Sequence, residues 1–295
     1  MGLTFPLVPA VVALVLALTP LFAFAFAGDW CVRRAQRLPL AGRMALPAVL
    51  ALPWCIVAMA TESLHAGWLP VYLLAPVAVA ALLGLAAKFD PEQRGHILDF
   101  LVLLPLGLAV DLRWLEPAWP PHLSLIGKLT LLDAGLYGFL AVRQLRGVGF
   151  DLRLRLRDWK IGLREFVFYL PIAVPMGLAL GFLHLHHGLE RPLLVAPIWI
   201  FTFVGVALPE EIFFRGWMQN LLERRLGRAT ALIVTACLFG LSHFNKRALH
   251  FNWRYVVLAA IAGIFYGRAW RNDRRIAASA ITHATVDTVW DALLR

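Results

Sequence analysis

The stretch L-P-E-E-I-F-F-R-G-W-M-Q, from Leu208 to Gln219, places two adjacent carboxylates and an arginine inside a long apolar run. Charged side chains are costly in apolar surroundings unless they are paired. Glu211 and Arg215 stand four residues apart with the acid nearer the N-terminus, which is the favourable order for an ion pair on a helix. This pairing neutralises Glu211, either as a structural tie between helices or as part of a site, and leaves Glu210 without a partner on its own helix.

The run around Leu208 is one of about ten in the chain. The 295 residues are 60% hydrophobic and only 16% charged, which is too apolar for an ordinary soluble domain. Because about 20 apolar residues cross the hydrocarbon core of a bilayer, we predict an all-α fold, a polytopic transmembrane helical bundle of eight to ten spans. The predicted spans are residues 5–27, 44–62, 68–87, 97–112, 123–142, 166–187, 193–224, 229–245, 254–270 and 276–294.

The basic residues indicate a lipid bilayer as partner and no nucleic acid. The formal charge of +10 comes largely from arginines at the ends of apolar runs, where they set topology and contact lipid headgroups. They fall in alternate loops, which predicts that both termini lie outside and that five basic loops lie in the cytoplasm. Lys246, Arg247 and Arg254 violate this pattern. The composition suggests a bacterial host, so we predict the inner (plasma) membrane as location.

A basic stretch divides the chain. In residues 143–165, leucine and arginine alternate from Leu152 to Arg157, which favours an extended segment at the lipid interface. We therefore predict an N-terminal accessory bundle in residues 1–142, an interfacial linker in residues 143–165 and a catalytic core in residues 166–295. The clustered polar residues lie in the third part.

Two further helices of that core carry polar pairs at a spacing of four. Phe239 and His243 share one face of the eighth span, and His283 and Asp287 share one face of the last. The turn between the seventh and eighth spans centres near Gly227, and Glu210 and His243 are equally far from it. In an antiparallel hairpin these two side chains therefore lie at nearly the same depth. For His283 and Asp287, a polar helix seam is the alternative to a site.

The three polar segments, in this order, resemble the motifs of a known family. E-E-I-F-F-R (Glu210 to Arg215), F-G-L-S-H (Phe239 to His243) and H-A-T-V-D (His283 to Asp287) are similar to the E-E-x-x-x-R, F-x-x-x-H and H-x-x-x-(N/D) motifs of the CPBP family. That family comprises the type II CAAX prenyl endopeptidases and bacterial relatives that process bacteriocins or confer self-immunity. The likeness covers residues 194–291.

The resemblance implies an intramembrane endopeptidase of the glutamic type. It implies that Glu210 and His243 activate a water, that His283 and Asp287 line the oxyanion side, and that Glu211, Arg215 and Phe239 support the site. An ionised Asp287 cannot donate a hydrogen bond to an oxyanion, so this residue is either protonated or orients His283. The implied substrate is a membrane-anchored peptide or protein, such as a lipidated peptide, a bacteriocin precursor or the sorting tail of a surface protein.

Several alternatives stay open. The sequence lacks the H-E-x-x-H, G-x-S-x-G and G-x-G-D motifs of other intramembrane proteases. We expect no cofactor, although two histidines with carboxylates leave zinc as a minor alternative. A proton-coupled membrane transporter, or a non-catalytic membrane scaffold or immunity protein, would place the same polar residues in other roles.

Overall fold

A computed structural model of the chain describes residues 6–61, 67–184, 192–246 and 250–294. These residues form helices and no strand, which confirms the all-α prediction. Six of the helices are long and apolar enough to cross a membrane. The helices are α1 (Leu7–Gln36), α2 (Leu40–Ala60), α3 (Trp68–Phe89), α4 (Ile97–Asp111), α5 (Ser124–Val142), α6 (Leu156–Ala179), α7 (Val195–Leu226), α8 (Arg228–Leu241), α9 (Trp253–Asp273) and α10 (Ile276–Leu293).

The first compact unit, residues 1–146, contains α1 to α5 and is built around three aromatic side chains. Trp54 and Tyr72 stack with ring centroids 5.2 Å apart. The indole of Trp119 donates a hydrogen bond to the Tyr72 hydroxyl at 2.6 Å, and that of Trp54 donates to the Ala118 carbonyl at 3.1 Å. Because both buried indole N–H groups have acceptors, the aromatic core avoids the cost of unpaired polar atoms.

A buried arginine joins two carboxylates in the same unit. The Arg143 guanidinium donates to both carboxylate oxygens of Asp99, at 2.9 and 3.1 Å, and to one carboxylate oxygen of Asp90 at 2.6 Å. Asp99 is fully buried and also accepts the backbone amide of His96 at the start of α4. The interaction therefore fixes the end of α5 against the beginning of α4 and the end of α3.

The second compact unit, residues 147–295, begins inside the segment that we predicted as a linker. Gly149 has a φ of +73°, and a Cβ there would lie 1.6 Å from the Arg274 carbonyl oxygen. The Gly149 carbonyl accepts the Ile276 amide at 3.0 Å, and the Val148 carbonyl accepts the Trp270 indole at 3.0 Å. Residues 147–155 thus form neither helix nor strand, and they pack against the connection between α9 and α10.

The predicted start of the sixth span at residue 166 is wrong, because α6 begins at Leu156. The Asp158 carboxylate accepts the Arg155 backbone amide at 2.8 Å, which satisfies a free N–H at the helix start. The same carboxylate pairs with Arg275 at 2.7 Å. Residues 156–165 therefore belong to a helix and not to an extended segment.

The helices of the second unit approach closely enough to bring polar side chains together. Gly227, with a φ of +78°, forms the turn between α7 and α8 where the sequence predicted it. A Cβ at Gly240 would lie 2.4 Å from the Val256 carbonyl oxygen, so only glycine permits this contact between α8 and α9. Within α7, residues Phe203–Ala207 and Ile212–Gln219 form π-helical turns on either side of the paired glutamates. Such turns are frequent at functional sites.

Removing the guanidinium of Arg143 should destabilise the protein strongly. Arg143→Ala leaves the buried Asp99 carboxylate without its charged partner, and we expect a loss of roughly 3–5 kcal/mol. Arg143→Lys should rescue only part of it, because an ammonium cannot make the forked contact. The apparent unfolding midpoint of the purified protein in detergent measures the effect. Arg94→Ala, which removes an exposed arginine paired with Glu92, is the control; equal midpoints for the two alanine variants would contradict the prediction.

Acid should weaken the contribution of the Asp90 carboxylate to the stability of the fold. Burial disfavours the charged form, but the amides of Arg94 and Gly95 and the Arg143 guanidinium outweigh it and lower the pKa of this carboxyl. A lowered pKa stabilises the fold above the unfolded value, about 4, and this stabilisation disappears as the pH falls through the lower folded value. We expect the difference in unfolding midpoint between wild type and Asp90→Asn to be full at pH 7 and to shrink below about pH 4. A difference independent of pH would show that the charge is irrelevant.

Candidate active site

The centre of the candidate site is the carboxylate of Glu211 on α7. It is fully buried and lies 3.1 Å from Nη1 of Arg215, as the spacing of four predicts. Nδ1 of His283 on α10 donates a hydrogen bond to the same oxygen, Oε1, at 2.8 Å. The Ser279 hydroxyl, one turn before His283, contacts the other oxygen. Glu211 therefore connects α7 to α10 and fixes the orientation of the His283 ring.

Arg215 is buried among aromatic rings of the same unit. Its guanidinium donates to the Gly263 carbonyl on α9 at 3.0 Å. The guanidinium carbon lies 4.7 Å from the Phe239 ring centroid and 5.3 Å from that of Tyr266. These contacts compensate for the loss of water around the cation, so Arg215 is held in place by side chains and backbone of α8 and α9.

Glu210 has a partner that the sequence did not predict. Its Oε1 lies 3.6 Å from the ammonium nitrogen of Lys246, which follows the end of α8. Its Oε2 is buried, has no hydrogen-bond partner among the described residues and lies 3.9 Å from Nε2 of His283. Lys246, one of the three cations that violated the predicted loop pattern, therefore lies next to the Glu210 carboxylate. The other oxygen of this carboxylate can still accept a hydrogen bond.

His283 lies between three carboxylates. While Nδ1 contacts Glu211, Nε2 lies 3.5 Å from Oδ2 of Asp287 as well as near Glu210. The ring stacks on Tyr266 with centroids 4.5 Å apart and an interplanar angle of 15°. The Asp287 side chain is 34% exposed, so it is the most accessible of the three acids around this ring.

His243 is held in a defined tautomer. Helix α8 ends at Leu241, so His243 lies in the turn that follows, although its ring still contacts Phe239 at 4.9 Å. Its Nδ1 lies 2.8 Å from the Phe239 carbonyl oxygen, which can only accept; Nδ1 therefore carries a proton. In the neutral ring, Nε2 is the nitrogen that can accept a proton. Among the described residues, no hydrogen bond or ion pair joins His243 directly to Glu210.

A cavity that is partly open to the outside lies next to the two imidazole rings. His243, His283 and Asp287 line it. The rest of its wall is mainly apolar and aromatic, with side chains such as Phe166, Phe182 and Trp290. An apolar cavity with a few polar groups is typical of a ligand or substrate site.

Several residues of the site escaped the sequence analysis. Ser279 stands four residues before His283, so the helical spacing on α10 contained a signal for it. Tyr266 and Tyr169 line the cavity from α9 and α6, but nothing in their sequence surroundings distinguishes them from core aromatics. Lys246 was noticed only as an exception to the topology rule.

The described residues contain no group of three or more His, Cys, Asp or Glu side chains arranged to hold a metal ion. Searches of curated proteins and of solved structures found no match. Residues 191–289, about a third of the chain, match the family model described as type II CAAX prenyl endopeptidase Rce1-like. This range contains all three polar motifs, and the model describes a family of membrane endopeptidases. Residues 191–289 are therefore similar to the type II CAAX prenyl endopeptidases, which supports the resemblance to the CPBP family.

Proposed function

We propose that this protein is a glutamate-dependent intramembrane endopeptidase that hydrolyses a peptide bond with a water activated by Glu210 and His243. The observation that carries the proposal is the asymmetry of Glu210. One of its oxygens is paired with Lys246, and the other is buried near His283 without a hydrogen-bond partner in the part of the chain that the structure describes. A water bound there would satisfy the free oxygen and would lie next to a carboxylate able to act as base.

The proposed reaction follows from these groups. A water bridging Glu210 Oε2 and His243 Nε2 gives its proton to Glu210 as its oxygen attacks the scissile carbonyl carbon. The carbonyl π electrons move to oxygen and form a tetrahedral oxyanion. Collapse of this intermediate expels the amine, which takes the proton from Glu210 and leaves the new carboxyl terminus. No metal is needed in this scheme.

His283 is the proposed donor to the oxyanion. Its Nδ1 proton is committed to Glu211, so donation requires a second proton on Nε2, which faces Glu210 and Asp287. Before the reaction Asp287 accepts this N–H and holds the ring with Nε2 at the cavity; the oxyanion then takes its place as acceptor, and Asp287 does not need to donate. This role fits an aspartate as well as an asparagine, because both carry an acceptor oxygen.

The apolar wall of the cavity supports a membrane-embedded or lipid-associated substrate. The proposed substrate is a membrane-anchored peptide or protein, with a bacteriocin precursor or a C-terminal sorting tail as examples. The proposed location is the inner membrane of a bacterium. A hydrolase at this position would release part of its substrate from the bilayer.

Glu210→Gln should abolish proteolysis without unfolding the protein. The amide has nearly the same shape but cannot take a proton from water, and we expect cleavage to fall by about 10²- to 10⁴-fold. The measurement is a mass-spectrometric comparison of protein termini in membranes of host cells that express wild type or variant at equal abundance. Asp291→Asn, which removes an exposed carboxylate one turn beyond Asp287 on α10, is the matched control.

The same experiment separates the other functions. Termini that depend on Glu210, and that persist in the presence of a metal chelator, are the expected result. Their loss on chelation would restore the zinc hypothesis. Identical termini in wild type and Glu210→Gln would contradict proteolysis; a solute or proton flux that depends on Glu210 would then indicate a transporter, and no flux a scaffold.

Asp287→Asn and Asp287→Ala should differ. Asparagine keeps an acceptor near Nε2 of His283, so we expect cleavage within about tenfold of wild type, whereas alanine should lower it by roughly a hundredfold. The rate of appearance of the Glu210-dependent termini measures both. Wild-type activity in Asp287→Ala would exclude the orienting role, and inactive Asp287→Asn would show that the carboxyl group itself is required.

A further inference from the structure

We propose that Lys246 is a positioning residue, whose positive charge holds Glu210 Oε1 so that Oε2 is presented to the reacting water. The inference rests on the proposed function and extends it to a residue outside the three polar motifs.

The two oxygens of Glu210 have different surroundings. Oε1 lies 3.6 Å from the ammonium nitrogen of Lys246, while Oε2 is buried and none of the described residues forms a hydrogen bond with it. A free carboxylate can rotate about its last bond and exchange its two oxygens. Because the two oxygens are chemically equivalent, a cation beside one of them does not select an oxygen; it fixes the rotation angle of the carboxylate and so directs the other oxygen toward His283.

The other charged groups around Glu210 have different roles. Arg215 is committed to Glu211 and to the Gly263 carbonyl. His283 spans Glu211 and Asp287, and Nδ1 of His243 is bonded to the Phe239 carbonyl. Among the lysines and arginines in the described part of the second unit, Lys246 is therefore the one that contacts Glu210 directly.

Two features make Lys246 a residue for positioning rather than for folding. Its side chain is 35% exposed and that of Glu210 is 25% exposed, and ion pairs at such sites contribute little to stability. A small displacement of a reacting group, however, lowers the rate of the chemical step strongly. The pair should therefore affect the chemical step more than the unfolding midpoint.

The test replaces the charge chemically. In a background with the three native cysteines (Cys31, Cys55 and Cys237) changed to serine, Lys246→Cys is treated in isolated host membranes with 2-aminoethyl methanethiosulfonate, which attaches an ammonium through a disulfide. Methyl methanethiosulfonate attaches a neutral group. The control is Lys160→Cys, at an exposed position on α6, with both reagents. The readout is the rate at which the Glu210-dependent termini appear, together with the unfolding midpoint.

We expect Lys246→Cys to lower this rate by roughly ten- to a hundredfold at an unchanged midpoint. The ammonium reagent should restore most of the rate, the neutral reagent should not, and Lys160→Cys should respond to neither. Full activity of Lys246→Cys, or equal rescue by both reagents, would overturn the role of the charge while leaving the proteolysis intact. If the background protein yields no Glu210-dependent termini although the wild type does, the same variants are made in the wild-type chain. If the wild type yields none, the proposed function fails and this inference fails with it.

Discussion

The site depends on the buried carboxylate of Glu211. It meets Arg215 on its own helix and His283 and Ser279 on α10, so one side chain sets the distance between two helices and the direction of an imidazole. Removing a buried charge that has several partners costs much stability, because each partner would remain buried without its counterpart. Glu211 is therefore committed to contacts within the protein, and the proposed mechanism assigns the chemistry to the adjacent Glu210.

The two neighbouring glutamates therefore have different environments despite adjoining positions in the sequence. Successive helical residues point about 100° apart, which turns Glu211 toward the interior and Glu210 toward the region of Lys246. The π-helical turn that follows them adds a residue to the local repeat and alters the direction of the helix faces beyond it. The backbone geometry of α7 thus contributes to the different surroundings of Glu211 and Glu210.

Hydropathy predicted the ten helices well, because each apolar run is bounded by polar or basic residues. The start of α6 was not predictable in this way. It depends on Asp158, whose partner Arg275 lies more than a hundred residues away and cannot be found from local patterns. The pairing of Glu211 with Arg215 followed from a spacing of four, and so did the proximity of His283 and Asp287. Lys246 escaped because its position depends on how the chain turns after α8. The catalytic roles themselves stay predictions.

The ion pair within α7 also bears on how the chain enters the bilayer. During synthesis, α7 emerges before α10, so His283 and Ser279 are not yet present to accompany Glu211. Arg215, one turn away on the same helix, neutralises that carboxylate from the start and lowers the cost of transferring the segment into hydrocarbon. The helix thus carries its own counter-ion during insertion. The contacts from α10 to Glu211 form later, when α10 packs against α7 and completes the site.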